Sequence, residues 1–461
     1  MKIVLGAGLA GLSTAYHAGR GNALILEKKP YAGGHIHAEM REGFTWDEGP
    51  HVSFTPHEYV KSLFEESTDG EFEEYPVVAT NYYRGSWIEH PAQSNLYQVP
   101  EPLRAECIDS FLKTRNNGDG EDHNIENYGQ WLDLAFGPVF AKTFPAAYTR
   151  KYWTVEPEEL GTDWVGSRVF YPEVDDVIQG AKGPLDKSTH YIKKVRYPSR
   201  GGYLSFAKKL IDNSDIRYGC EVSGVDLKEK KILLHDGSSV NYESLVNSIP
   251  LPQFVRMCKG VPAKVLEAAN ALDCTSVLLV NVTAPHPTLR PENWIYVYDE
   301  DKLSSRIYCT EKMAPSNAPQ GHTGVQVEVY FSRYRPFTDT TESVADTVVD
   351  ELVEMGLIDP DSVGGKSNLT VHTKWVPWAN VLFHHQTKDA LDVIWKWMEQ
   401  FGLERESDDL LPLTDWNERK NKSPNAPLSM AGRFGQWKYY WTDDCVMRGA
   451  LLNNKLTNNK I

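Results

Sequence analysis

The residues of this 461-residue chain best placed to do chemistry stand at its start: Gly6, Gly8 and Gly11, then Glu27 sixteen residues further on. In a Gly-x-Gly-x-x-Gly run the first glycine permits a tight turn and the second lets the backbone approach a pyrophosphate. The third allows a helix to pack closely on a strand. A helix start at that point offers unpaired N–H groups and a partial positive charge to phosphate oxygens. Glu27 is spaced to accept hydrogen bonds from ribose hydroxyls, and its charge disfavours a 2′-phosphate.

Other candidates lie far apart in the chain. Arg168 and Arg306, on separate segments, can grip a diphosphate through charge-assisted bonds worth about 1.5–3 kcal/mol each. Tyr148, Trp153 and Tyr439 offer planar faces for a base or ring. A lone arginine is more often a surface ion pair worth roughly 0–1 kcal/mol, and a lone aromatic is more often core. Spacing alone leaves both readings open.

The elements that must position these groups follow from the apolar pattern. Ile3–Leu5 is a short apolar run, a helical pattern extends from the glycine turn to His17, and Ala23–Leu26 closes on Glu27. Strand, glycine turn, helix, strand and acid therefore stand in the order of a dinucleotide-binding βαβ unit over Lys2–Lys28. Helical patterning returns around Asn127–Phe140. Strand-like runs follow at Ile216–Val225, Lys231–His235 and Ser244–Ile249. Between Ser276 and Tyr330, alternating runs such as Val277–Val282 and Val325–Tyr330 predict an antiparallel sheet. Helices are expected at Thr341–Met355 and Lys388–Gly402, a surface loop over Glu404–Pro427 and a frayed tail over Asn453–Lys460.

Composition narrows the function class. A net charge of −15 argues against a general nucleic-acid binder, which needs a cationic surface, but not against an anionic small molecule held in a local pocket. The six cysteines are scattered with no CxxC pair, so neither disulfides nor a metal site is expected, and a cytoplasmic location fits reduced thiols. No apolar run reaches the roughly 18 uncharged residues of a transmembrane helix.

Past Glu27, the pair Gly33-Gly34 and the segment Glu42–His51 resemble the FAD-dependent oxidoreductases that include amine oxidases and protoporphyrinogen oxidase. That resemblance implies FAD as cofactor, with the glycine pair near its ribityl chain and phosphates and Val222 near its adenine. Further segments resemble one branch, the UDP-galactopyranose mutases. They are Gly49-Pro50-His51 with Thr55, Tyr148–Trp153 with Pro157, Tyr197–Tyr203, and Gly432-Arg433 with Trp437–Tyr440 and Asp443. The branch resemblance implies His51 beside the flavin ring, Tyr148 and Trp153 at the uridine end of a nucleotide sugar, and Tyr439 on the substrate side. It implies Arg168 and Arg306 on the diphosphate, Arg306 on a mobile loop, and Gly432 and Arg433 against FAD. The pattern departs at Trp441-Thr442, where the family has Asp-Met, and after Arg168, where its Asn-Tyr-Phe is missing; Trp378 stands near a family tyrosine. These departures leave the sugar open.

The expectation is thus an α/β chain with α+β insertions: a Rossmann-type FAD-binding domain, a helical insertion and an antiparallel-sheet substrate domain. The boundaries are a βαβ portion over 1–75, the insertion over 76–190, FAD-binding returns over 191–255 and 401–461, and the sheet domain over 256–400. The implied enzyme is an intramolecular transferase, a pyranose–furanose mutase in which reduced FAD N5 is the nucleophile at the anomeric carbon. Its substrate is an anionic nucleotide sugar, an external reductant keeps the flavin reduced, and an oligomer is compatible with the sequence. The alternative is an FAD-dependent oxidoreductase of the amine oxidase, protoporphyrinogen oxidase or desaturase kind, and the blandest a flavin-binding protein without catalysis. The Gly432-Arg433 pair, where amine oxidases carry Gly-Glu, leans toward the mutase.

Overall fold

The computed structural model describes residues 1–118, 125–165, 171–185, 192–405, 416 and 426–455. The short apolar runs assemble into a five-stranded parallel sheet in the order Leu428–Met430, Ser244–Asn247, Lys2–Leu5, Ala23–Leu26 and Asp215–Arg217. Its central strand is apolar at Ile3, Val4 and Leu5, all fully buried, as a parallel sheet covered on both faces requires. The helix Leu9–Ala18 leaves the glycine turn and lies against the last helix, Thr442–Leu452, to which Ser13 donates through its hydroxyl at the Val446 carbonyl (2.6 Å). Ligands of such sheets bind outside the carboxyl ends of the strands, where the connections diverge.

A second sheet has seven strands, in the order Thr370–Val376, Ser276–Ala284, Thr323–Phe331, Arg306–Cys309, Trp294–Val297, Ala79–Tyr83 and Ser86–Glu89. All neighbours are antiparallel except Trp294–Val297 beside Ala79–Tyr83. One face is covered by the helix Thr341–Glu354, whose Val344, Val348 and Leu352 pack with Val280 and Val327. Thr340 caps that helix by accepting from the Ser343 N–H (3.1 Å).

Helices at Tyr128–Phe136, Pro138–Ala141 and Ala147–Tyr152 form a third cluster, with Asn127 capping the first by accepting from Gln130 N–H (2.9 Å). Between the last two lies a π-helical turn, Lys142–Ala146, carrying Pro145. Proline has no N–H to give the ordinary helical ladder, and the widened turn accommodates that loss.

Three expectations need correction. Ile216–Val225 is not one strand: Asp215–Arg217 ends the parallel sheet and Val222–Asp226 begins a separate three-stranded sheet. The chain turns at Gly219, which has φ +66°, and Cys220 N–H donates to the Glu27 carbonyl (2.8 Å). The stretch 76–190 is not helical throughout, because Ala79–Tyr83 and Ser86–Glu89 join the seven-stranded sheet. Most of Glu404–Pro427 lies outside the described residues, but Trp416 within it is buried and donates its indole N–H to Asp444 Oδ1 (2.9 Å), unlike a residue of a surface loop. Of the expected frayed tail, residues 456–461 likewise lie outside the described residues. Among the described residues no helix is long and apolar enough to cross a membrane.

Candidate active site

A cavity of about 940 Å³ runs from the glycine turn to the helix Ala147–Tyr152. Its first end is backbone. Gly6, Gly8, Gly33 and Gly34 line it, with Glu27 and Val222 beside them. A Cβ on Gly8 would come no nearer than 4.0 Å to a neighbouring residue, so that face is open to a ligand. On Gly34, with φ +58°, a Cβ would stand 2.9 Å from Gly8 Cα, so the two loops touch through their glycines. Gly11 does not line the cavity. It lies behind the turn, where a Cβ would be 2.1 Å from the Gly6 carbonyl oxygen. Glu27 accepts the Ala7 N–H (2.7 Å) and the Lys29 N–H (2.8 Å), which aim its buried carboxylate along the cavity with lone pairs left for a hydroxyl donor.

The middle of the cavity is set by the segment after Phe44–Asp47. Asp47 is fully enclosed; it accepts from the Tyr197 hydroxyl (2.7 Å) and the Tyr203 N–H (3.0 Å). Burial raises its pKa to about 7, against the pull of these two donors. Gly49 N–H donates to Gln326 Oε1 (3.1 Å), and Gln326 Nε2 donates to the Asp47 carbonyl (3.0 Å), so the seven-stranded sheet holds this segment from below. His51 Nδ1 lies 3.0 Å from the Gly49 carbonyl, which fixes the proton on that nitrogen. Burial, and secondarily the nearby guanidinium groups of Arg306 and Arg433, lowers its pKa to about 4, leaving the ring neutral. Gly432 and Arg433 line the same stretch; Arg433 donates from Nε to the Tyr440 carbonyl (2.8 Å) and lies 5.3 Å from the Tyr439 ring.

Asp47 carries a pH prediction. The folded chain keeps a proton that the unfolded chain releases between about pH 4 and 7, so stability contributed by this group falls as pH rises through that window. The expected loss is on the order of 4 kcal/mol, and urea unfolding of Asp47→Asn at pH 5 and 7.5 should show a flatter profile than the parent chain. An unchanged slope would remove Asp47 as its source.

The far end is aromatic. Tyr148 and Tyr152 project from one helix, which Trp153 follows directly, and Tyr296 and Tyr330 from two strands of the large sheet, with Tyr298 just past the end of the first. Tyr148 stacks on Tyr152 (5.5 Å, 18° between planes), and Trp164 meets Tyr439 edge to face at 5.7 Å. The Tyr148 hydroxyl and Trp153 Nε1 are buried with no hydrogen-bond partner among the described residues. Such groups are costly unless a ligand satisfies them.

Arg306 stands at this end but not on a loop. It opens the strand Arg306–Cys309 and binds Glu328 on the adjacent strand through Nε (2.7 Å) and Nη2 (2.8 Å), with Glu328 only 4% exposed. The register puts the pair directly opposite. Arg168 lies outside the described residues.

Thus the structure brings His51, Arg306, Tyr148, Trp153 and Tyr439 into one cavity with Gly6, Gly8, Glu27, Gly33, Gly34, Val222, Gly432 and Arg433. The sequence reading missed Glu328 and the cluster around Glu48. Burial pushes the Glu48 pKa up, but His35 (3.6 Å) and Lys374 (2.9 Å) more than offset it and bring it to about 2. A signal for Glu328 was present: Gln326, Glu328 and Tyr330 alternate with Val325, Val327 and Val329, a polar face on a strand buried along its whole length.

The cavity suits a flavin dinucleotide: an open glycine face for the diphosphate, a carboxylate for ribose and a neutral imidazole midway. Residues 9–393 match the family described as flavin containing amine oxidoreductase. Similar solved structures include a reduced UDP-galactopyranose mutase, 20% identical, with 98% of this chain and 94% of that chain covered at a TM-score of 0.84. A putative protoporphyrinogen oxidase from Exiguobacterium sp. 255-15 is 16% identical over 98% and 97%, at 0.69. A redesigned putrescine oxidase is 12% identical over 98% and 98%, at 0.60. These likenesses show a shared fold. The chain belongs to the flavin-containing amine oxidoreductase family, and its cofactor is FAD.

Proposed function

We propose that this enzyme is a flavin-dependent nucleotide-sugar mutase that interconverts pyranose and furanose forms. The observation that carries the reading is the far end of the cavity, where unpartnered donors on Tyr148 and Trp153 stand among aromatic rings with Arg306. A uracil needs planar faces and donors for its carbonyls; a diphosphate needs a guanidinium. The likeness to a mutase over nearly the whole of both chains supports the same reading.

When bound and reduced, FAD supplies a nucleophilic nitrogen for the anomeric carbon. This chain's residues do the rest by placement. Arg306, with one edge fixed by Glu328, keeps Nη1 for the departing diphosphate, an electrostatic role. Neutral His51, with its proton fixed on Nδ1, presents Nε2 as an acceptor for an N–H or O–H. The aromatic walls exclude water from a sugar that has left its diphosphate.

The test is anaerobic. Dithionite-reduced enzyme incubated with UDP-galactopyranose and related UDP-hexoses should yield the furanose isomer by chromatography, with no net oxidation and no product from the oxidised enzyme. Unchanged UDP-hexoses, together with oxygen consumption on an amine or a cyclic substrate, would replace this reading with the oxidoreductase one.

A further inference from the structure

The helix Ala147–Tyr152 turns its aromatics into the cavity and two cations away from it, and both cations reach one turn of the large sheet. Lys151 donates from Nζ to the Asp299 carbonyl (2.6 Å), and its side chain is buried. Arg150 forms a bidentate pair with Glu300 (2.6 and 2.9 Å). That turn joins Trp294–Val297 to Arg306–Cys309, so a few residues after the contact the chain delivers Arg306 into the site. The turn is held from its other side by Glu351 of the helix Thr341–Glu354, which accepts from the Leu303 N–H (2.6 Å) and the Ser304 N–H (3.0 Å).

We propose that Lys151 is a positioning residue: its bond to the Asp299 carbonyl sets the distance between the aromatic wall and Arg306, and so between the base and diphosphate sites. This rests on the nucleotide-sugar reading for its ligand but not for its mechanics. Lys151 touches no part of the cavity, and a lysine buried against a lone carbonyl is a poor choice for stability alone. As a clamp it serves two elements that must keep register while a ligand lies between them.

The clamp is pH-sensitive. Burial lowers the Lys151 pKa to about 7. Glu351, Asp299 and Asp301 oppose the shift, and Arg335 adds to it. Below pH 7 the ammonium makes a charge-assisted bond; above it an amine makes a weaker one.

The experiment uses FAD-loaded protein and UDP as probe. Lys151→Met should bind UDP about threefold to tenfold more weakly than the parent chain at pH 6, a fraction of one charge-assisted bond. FAD content should match, and in turnover KM should rise while kcat holds. Parent affinity should fall from pH 6 to 8, and the variant should show no such fall. Lys151→Gln, which keeps a donor that does not titrate, should recover part of the affinity and stay flat with pH. Hydrogen exchange supplies a readout that needs no nucleotide: Lys151→Met should speed exchange in 147–153 and 299–306 together, and nowhere else. Parent-like affinity, pH profile and exchange in Lys151→Met would overturn the clamp while leaving the nucleotide reading in place. Coupled exchange without UDP binding by the parent would sink the nucleotide reading and leave the clamp standing.

Discussion

Arg306→Ala will be destabilised by about 3–5 kcal/mol, because it leaves the Glu328 carboxylate buried and unpaired. The loss is larger than removal of a ligand contact alone produces, so stability and binding must be separated. The double variant Arg306→Met, Glu328→Met does this. Apolar groups of similar volume often replace a buried ion pair at little or no net loss, so the double variant should unfold in urea near the parent midpoint. It should nevertheless bind UDP at least about tenfold more weakly, since a charge-assisted bond to phosphate is gone. Calorimetry on both variants reads the two effects apart. If the double variant binds UDP as the parent does, Arg306 is a structural ion pair and the diphosphate is held elsewhere.

Gly11→Ala should give protein without visible flavin absorbance. Its Cβ would stand 2.1 Å from the Gly6 carbonyl, a backbone atom that cannot step aside without reshaping the turn. Overpacking of this kind costs about 1–3 kcal/mol even where side chains can yield, and here the turn itself is the phosphate cradle. Gly8→Ala is the informative contrast. Its Cβ meets no protein atom closer than 4.0 Å, so the fold should survive while the methyl intrudes on ligand space. Normal unfolding with weakened FAD retention in Gly8→Ala, against loss of both in Gly11→Ala, is the expected pair of outcomes. Full flavin loading of Gly11→Ala would show that the turn yields more than its geometry allows.

The first βαβ unit was legible because each of its residues answers a local steric demand within thirty positions. The strands at Ser276–Ala284 and Thr323–Phe331 were legible for a similar reason, since β-branched residues dominate both. Arg306 was found by resemblance but placed on a loop, because the Glu328 pair depends on strand register, which two segments 22 residues apart do not reveal. Ala79–Tyr83 was overlooked as a strand although it makes a hairpin with Ser86–Glu89, because what joins that hairpin to the large sheet is Trp294–Val297, more than two hundred residues away. Ile216–Val225 read as continuous because its apolar residues hide a turn at Gly219, whose left-handed φ was the only break. Lys151 stood inside the Tyr148–Trp153 segment that carried the resemblance, yet no role was read for it: one lysine after an arginine looks like solvent-facing charge until the fold buries it.

The parallel sheet places its latest strand, Leu428–Met430, beside Ser244–Asn247, and the helix Thr442–Leu452 against the helix that leaves the glycine turn. Lys2 donates from Nζ to Asn453 Oδ1 (2.8 Å), and Asn453 Nδ2 donates to the Thr14 carbonyl (2.9 Å), so the two extremes of the described chain are stitched directly. On the ribosome the glycine turn emerges first, yet Gly432 and Arg433, which close its cavity, emerge hundreds of residues later. Domains generally fold as units during synthesis, and this one cannot be completed by its leading half. Capture of the cofactor in a complete cavity therefore waits until the segment that carries Gly432 and Arg433 has been made.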